Sequence, residues 1–122
     1  MDGFEHEKLD VYRKSVEFLA GAEAIACALP KGRAYLAEQL RRAALSITLN
    51  VAEGAGEFAA ADKARFYRMA RRSATESGAI LDSCRILSLV DPNDISAARA
   101  VLLRIVAMLT AMVLKLSGSG SG

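Results

Sequence analysis

Hydrophobic residues recur along this chain at intervals of three and four, the spacing that places side chains on one face of an α-helix. Short segments containing Pro, Gly, Asp or Asn interrupt the pattern. The pattern predicts four helices, at about residues 8–29, 33–53, 62–89 and 93–116. Residues 1–7 lack it and are expected to be frayed, and the Gly/Ser repeat 117–122 reads as a flexible linker. We therefore expect a single all-α domain.

Residues with particular backbone preferences mark some of the expected helix ends. A loop is expected from about residue 54 to residue 61, and Asp62 is a suitable N-cap for the third helix. Two caps are open for the fourth helix, namely Asp91, which precedes Pro92, or the pair Asn93–Asp94. Each cap would satisfy backbone N–H groups that a helix start leaves without partners.

The first helix is expected to have an apolar face wide enough to contact two neighbouring helices, and the third helix is expected to have a core face. The first helix carries one stripe and a second beside it: Val11, Ser15, Phe18, Ala22, Ile25 and Leu29, then Leu9, Tyr12, Val16 and Leu19. The core face of the third helix is predicted at Phe66, Met69 or Ala70, Ser73, Ser77, Ile80, Cys84 and Leu87.

The fourth helix is apolar on more than one side. Its main seam follows the three-and-four spacing of a heptad: Ile95, Ala98, Leu102, Ile105, Leu109, Met112 and Leu116. A helix with further apolar residues off that seam needs burial on several sides, which one four-helix protomer cannot supply. We therefore predict a seam between subunits at Val101, Val106 and Val113.

Composition agrees with a small helical domain that associates with itself. The chain has 122 residues, only two prolines and no Trp, and 52% of its residues are hydrophobic. That fraction is slightly high for a soluble monomer, which favours an apolar surface shared between subunits. No signal peptide is visible, and the uncharged run 105–114 is too short to span a bilayer. We expect a cytoplasmic protein without a membrane partner.

No catalytic or metal-binding constellation can be assembled from the sequence. The one histidine, His6, lies near an end that is expected to be mobile, and no cysteine pair has ligand spacing. Cys27 and Cys84 read as reduced core thiols, although a disulfide between them stays open. We expect no metal, no cofactor and no enzymatic activity.

Basic residues concentrate in the second and third helices. Residues 33–72 contain eight bases and four acids, although the whole chain carries only +2. The candidate nucleic-acid contacts are Arg41, Arg42, Lys63, Arg65, Arg68, Arg71 and Arg72. Such a cluster either contacts phosphates through a sequence-tolerant surface or forms a solvated face whose charges pair with nearby acids.

One continuous stretch, residues 39–56, carries a family resemblance. Its sequence, QLRRAALSITLNVAEGAG, resembles the four-helix-bundle family of 23S rRNA intervening-sequence proteins. A second block, around Phe66-Tyr67 and Ala70-Arg71, fits the same family. The resemblance covers most of residues 8–115 and implies an antiparallel up-down four-helix bundle that assembles as a ring-shaped pentamer. It brings no known activity.

Four residues of this motif are given structural roles. Asn50 and Glu53 are expected to form a polar network at the end of the second helix, with Arg42 or Arg71 as a partner. Gly54 and Gly56 are expected to end that helix and form the following turn.

A second resemblance, at the level of fold, bears on function. The family is similar in fold to the accessory protein of diversity-generating retroelements, which binds nucleic acid and a reverse transcriptase. Two positions depart from the family pattern: Glu57 stands where many members have a basic residue, and Arg72 where they tend to have Gly. We expect a homo-oligomer that binds structured RNA or an RNA-associated protein, the alternative being a scaffold without a nucleic-acid role.

Overall fold

The computed structural model describes residues 3–119 of the chain, and within them the fold is an all-α four-helix bundle. The long helices are α1 (Asp10–Ala28), α2 (Ala34–Gly56), α3 (Ala60–Ile86) and α4 (Pro92–Ser119). Short 3-10 turns at Glu5–Lys8 and Lys31–Arg33 precede α1 and α2. The packing is most extensive between α2 and α3 and least extensive between α1 and α4.

The first described residues lie against the bundle, in the segment 1–7 for which fraying is predicted from the sequence. The 3-10 turn Glu5–Lys8 packs against α2 as well as α1. The His6 ring stacks on Phe4, with 5.3 Å between the ring centres, and lies 4.5 Å from the ring centre of Tyr12. His6 is therefore half-buried in an aromatic cluster and is not a freely solvated side chain. Residues 1 and 2 lie outside the described part of the chain.

The junction between α2 and α3 is shorter than predicted. Helix α2 continues through Gly54 to Gly56, and only residues 57–59 separate it from α3. Gly54 is buried inside the helix, so the predicted stop at this residue is wrong. The predicted cap is also wrong, because the N-cap position belongs to Ala59 and Asp62 lies in the first turn of α3. An acidic side chain there still interacts favourably with the positive end of the helix dipole.

Helix α3 ends three residues earlier than predicted. Its end is a backbone motif that could not be predicted from the residue types at these positions. The Leu89 amide donates to the Cys84 carbonyl at 3.0 Å, and the Ser88 amide donates to the Arg85 carbonyl at 3.0 Å. This pair of bonds is the Schellman arrangement, which places one residue in the left-handed region. Ser88 occupies that position with φ of 55°.

The core is built from small and branched side chains that all four helices contribute. The largest fully buried hydrophobic side chains are Phe18, Leu40, Ile47, Leu81, Ile95, Ile105, Leu109, Val51 and Cys84. The first stripe predicted for α1 is buried except for Leu29, which is half-buried. Alanines in this core, including Ala43 of α2 and Ala70 and Ala74 of α3, allow neighbouring helix backbones to approach closely.

The core face of α3 differs from the prediction in a specific way. Tyr67 is buried with 4% of its surface exposed, whereas Phe66, the aromatic residue predicted for the core, is only half-buried. Of the open pair, Ala70 is buried and Met69 is exposed, and Leu87 also lies exposed beyond the end of α3. At the start of α3, the buried face therefore lies one residue further along the chain than predicted. This shift corresponds to a rotation of about a third of a turn about the helix axis.

The two cysteines have different environments. Cys84 is buried in the core, where burial raises the pKa of its thiol. Cys27 is exposed on α1, so its assignment as a core thiol is wrong. Both are free thiols.

Helix α4 begins at one of the two caps that the sequence left open. The Asp91 carboxylate accepts a hydrogen bond of 2.8 Å from the Asn93 amide, and its carbonyl accepts from the amides of Asp94 and Ile95. Pro92 is the first helical residue, a position that needs no N–H donor. The helix continues to Ser119, beyond the predicted end at residue 116, while residues 120–122 of the expected linker lie outside the described part.

The three valines predicted as a subunit seam do not share one surface. Val113 is buried in the core with 7% exposure, so it cannot present its side chain to another subunit. Val101 and Val106 are half-buried, and they line separate grooves, against α1 and against α3. The exposed large apolar residues of α4 are Leu103 and Leu114, at 56% and 66%.

Helix α4 is also long and apolar enough to cross a membrane, by length and composition alone, over residues 92–118. It alone among the described helices passes this test, which buried helices of soluble bundles also pass. The uncharged run 105–114 considered by itself is shorter than a bilayer requires.

Candidate nucleic-acid interface

The exposed face of α3 carries three arginines in a row. Arg65, Arg68 and Arg72 follow one another at spacings of three and four, which aligns them along one side of the helix. All three are exposed, and none forms an ion pair with any residue of the described part of the chain. The Arg65 guanidinium lies over the ring of Phe66 at 4.4 Å from the ring centre. This cation–π contact orients the charge without neutralising it.

Arg42 adds a fourth exposed charge on α2. It too has no acidic partner within residues 3–119. Glu76 stands one turn after Arg72 on α3 but forms no ion pair with it. We call Arg42, Arg65, Arg68 and Arg72 the open arginines, because their guanidinium groups keep their hydrogen-bonding capacity for another molecule.

Arg41, in contrast, is committed to the neighbouring helix. Its Nε and one terminal nitrogen donate to the two carboxylate oxygens of Glu23 on α1, at 2.9 and 3.1 Å. The hydrogen bonds from Arg41 hold the pKa of Glu23 below its usual value, and a bond from Cys27 adds to the effect. Since Nε and one terminal nitrogen of the guanidinium group are taken by this carboxylate and the Cys27 thiol, Arg41 contributes to α1–α2 packing and less than the open arginines to a free basic surface.

Lys63 and Arg71 are also engaged within the bundle. The Lys63 ammonium donates to the carbonyls of Gly54 and Ala55, at 3.3 and 3.0 Å, and so covers the last turn of α2. A cation at the C-terminus of a helix interacts favourably with its dipole. Arg71 is half-buried and donates to the Thr110 hydroxyl of α4 at 3.4 Å. Three of the predicted contacts are thus bound to other parts of the protein.

The predicted polar network around Asn50 exists with different partners. The Asn50 side-chain nitrogen donates to the Ser46 carbonyl at 2.9 Å and to its hydroxyl oxygen at 3.1 Å. The Ser73 hydroxyl of α3 donates to the same Ser46 oxygen at 2.8 Å. Ser46 therefore links the two helices through a half-buried chain of hydrogen bonds that involves neither Arg42 nor Arg71.

Glu53 does not belong to this network. It is exposed, and among the described residues it forms no ion pair. It lines an open groove with Phe4, His6 and Gly56, between the first 3-10 turn and the end of α2. The role predicted for Glu53 is therefore wrong, while Asn50 keeps a structural one.

Two further observations on the described residues 3–119 concern metal ligands and an exposed aromatic side chain. No group of three or more His, Cys, Asp or Glu side chains is placed to hold a metal ion. Phe58, in the linker between α2 and α3, has its whole side chain in solvent. Its exposure could not be predicted from periodicity, because it lies outside every helix.

The match to known families agrees with this architecture. The family model for the 23S rRNA-intervening sequence protein matches residues 7–111, which include all of α1, α2 and α3 and most of α4. The chain belongs to this family. Comparison with individually curated proteins gives no match.

Proposed function

We propose that this protein is a non-enzymatic, cytoplasmic, homo-oligomeric bundle that binds structured RNA, or an RNA-associated protein, through the open arginines. One observation carries the proposal: Arg65, Arg68 and Arg72 lie in line on an exposed helix face without acidic partners among the described residues. An alignment of exposed, unpaired guanidinium groups costs self-repulsion, which a bound polyanion relieves.

The spacing of these charges suits phosphate groups. Seven residues of α-helix separate the first arginine of the row from the last, which corresponds to about 10 Å along the helix axis. Neighbouring arginines of the row are about 5–6 Å apart along the axis, which is within the Debye length of about 8 Å at physiological salt, so the charges of neighbours reinforce one another. Guanidinium groups also bind phosphate oxygens in pairs. With Phe66 half-buried beneath Arg65, the surface offers phosphate contacts more than base stacking.

The proposal includes an antiparallel, up-down arrangement of the four helices. It is supported by contacts whose residue numbers rise on one helix as they fall on the next. Between α1 and α2, Ser15 contacts Thr48 and Glu23 contacts Arg41. Between α3 and α4, Arg71 contacts Thr110 and Asp82 contacts Arg99.

Homo-oligomerisation, with the pentamer that the family resemblance implies, is supported by the outer surface of α4. Only 28% of its most apolar segment is buried within the protomer. A row of uncharged residues follows heptad spacing on the outer side of α4: Ser96, Ala100, Leu103, Ala107 and Leu114 are exposed, and Thr110, which accepts a hydrogen bond from Arg71, is half-buried. Small residues in such a row let a second helix approach closely. A ring would also repeat the open arginines and strengthen their field.

The alternative function is a scaffold without a nucleic-acid role. The observation that favours it is that Arg41, Lys63 and Arg71 already serve the packing of the bundle. In this alternative the open arginines only keep the oligomer soluble.

Charge substitution on matched surfaces separates the two functions. The test variant is Arg65→Gln/Arg68→Gln/Arg72→Gln, and the control is Lys31→Gln/Arg85→Gln/Arg104→Gln, which removes the same charge from exposed positions elsewhere. Binding to a structured ribosomal RNA fragment is measured by fluorescence anisotropy at fixed salt. We expect at least a tenfold loss of affinity in the test variant and little change in the control. Equal losses would leave only net charge as the cause and favour the scaffold.

A further inference from the structure

A cleft at one end of the bundle combines a buried tyrosine with two lysines. The residues that line it are Lys63 and Tyr67 of α3 and Met112, Lys115 and Leu116 of α4, and its volume is about 330 Å³. Its two lysines come from different helices, so the bundle itself brings them together. The open arginines do not line this cleft.

Tyr67 has an unusual position for a polar side chain. It is 96% buried, since only 4% of its surface is exposed, yet its hydroxyl has no hydrogen-bond partner among residues 3–119. Among the described residues, every side-chain oxygen or nitrogen that is closed off from solvent has a hydrogen-bond partner. The Tyr67 hydroxyl has no such partner, so it must reach solvent. Tyr67 lines the cleft, and the cleft is the opening through which its hydroxyl reaches solvent. Buried tyrosines normally find a hydrogen-bond partner.

The protonation state of Tyr67 suits a donor. Burial raises the pKa of this hydroxyl above its usual value of 10.0, so it stays an O–H group throughout the physiological range. Lys63 already directs hydrogen bonds to two carbonyls and has one N–H left for another acceptor. Lys115 is exposed and forms no ion pair within the described part of the chain. The three residues therefore supply a small group of donors with positive charge.

The remaining wall is apolar. Met112 and Leu116 are half-buried and lie one turn apart on α4, and Lys115 lies between them in the sequence. A methionine side chain adapts its shape to irregular ligands. An anion alone would leave this surface in contact with water, whereas an alkyl or aryl group attached to the anion would cover it.

We propose that this cleft binds a small amphipathic carboxylate, whose two oxygens accept from Tyr67, Lys63 and Lys115 and whose apolar body lies on Met112 and Leu116. The donor set matches the two oxygens of a carboxylate. The ammonium groups supply charge-assisted hydrogen bonds, and the Tyr67 hydroxyl fixes the orientation of the head group. This site is separate from the open arginines and does not rest on RNA binding.

Methyl NMR of the full chain tests the proposal with defined probes. The probes are octanoate, acetate, 1-octanol and adenosine monophosphate, and the reporter is the Met112 methyl group. The methyl group of Met69, which is 41% exposed on α3 and does not line the cleft, serves as the internal control. We expect saturable shifts of Met112 with octanoate, at least tenfold weaker binding of acetate and 1-octanol, and no shift of Met69.

Two variants assign the head-group contacts. Tyr67→Phe removes the hydroxyl and keeps the ring, and Lys115→Gln removes one charge, while Arg104→Gln is the control. We expect the octanoate Kd to rise at least threefold in each of the first two and to stay unchanged in the control. Unchanged affinity in both would overturn the proposal. So would equal shifts at Met69 and Met112, no saturation with octanoate, or tighter binding of adenosine monophosphate than of octanoate.

Discussion

The ring of Tyr67 lies directly against the backbone of Gly54. A Cβ atom built at Gly54 would come within 2.6 Å of Tyr67 Cε1 and 2.8 Å of its Cδ1, closer than such atoms approach in proteins. Gly54 has no positive φ, so its glycine is required by contact with α3 and not by backbone conformation. The glycine of the family-like motif therefore allows a close approach of α2 and α3, in which the ring of Tyr67 occupies the space that a side chain at residue 54 would need.

Substituting Gly54 tests this close approach. Gly54→Ala should destabilise the protein by about 1–3 kcal/mol, because the added methyl group overpacks the contact with a buried ring. The measurement is the free energy of unfolding in urea. Gly56→Ala is the matched control: apart from the adjacent residues and the backbone of its own helix, no atom lies within 4 Å of a Cβ built there, so the stability of this variant should be unchanged or higher. Equal effects at the two glycines would show that the Tyr67 contact is unimportant.

The end of α3 offers a stabilising change. Ser88 adopts φ of 55° in a Schellman motif, a conformation that L-residues other than Asn and Asp adopt at a cost. Ser88→Gly should raise the free energy of unfolding by about 0.5–1 kcal/mol after the greater chain entropy of glycine is subtracted. Ser88→Ala keeps the cost and should give no gain. A gain of the same size in both variants would exclude backbone conformation as the cause.

The contact between Glu23 and Arg41 predicts a dependence of stability on pH. The pKa of Glu23 is lowered in the folded state, so its contribution is present above the unfolded value, near 4.5, and is lost as the pH falls through the folded value. Wild type should therefore exceed Glu23→Gln in stability at pH 7, and this gap should close in acid. Thermal unfolding between pH 7 and pH 3 measures it. Glu38→Gln, at an exposed carboxylate without an ion pair in the described chain, should show no such gap.

The outer surface of α4 predicts how the subunits meet. Leu103→Glu should reduce the mass measured by light scattering from that of an oligomer toward the 13.0 kDa of one chain. The reason is that a charge in an apolar seam loses its hydration on association. Leu49→Glu, at a similarly exposed leucine of α2, should leave the mass unchanged. A monomeric wild type, or equal behaviour of both variants, would contradict this seam.

The helices could be predicted from the sequence because the three-and-four spacing is a local property of each segment. The start of α4 at Asp91 could also be predicted, as one of two caps, but the end of α2 could not, because the conformational freedom of Gly54 suggests a helix stop whereas its buried place in α2 depends on Tyr67. The left-handed Ser88 has no local signal either. Local rules describe a residue in its own helix, and they do not include the ring or backbone that packs against it.

The candidate site could likewise be predicted only in part from the sequence. The sequence identifies every basic residue of the second and third helices, but it does not show which of them already have partners. Arg41 pairs with Glu23 on another helix, and Lys63 covers the end of α2. Arg65, Arg68 and Arg72 remain exposed because the face they share points away from the core. Only the packed bundle separates these two groups.

Binding of the wild-type protein to a structured ribosomal RNA fragment, measured across a salt series, tests the proposed function most directly. Each phosphate contact releases counterions and contributes about 0.7–0.9 to the slope of log affinity against log salt. We expect affinity to fall steeply with salt, and the slope to decrease by about two to three per bound protomer in the Arg65→Gln/Arg68→Gln/Arg72→Gln variant. An absence of binding at low salt, or a slope that this variant leaves unchanged, would contradict the role of the open arginines.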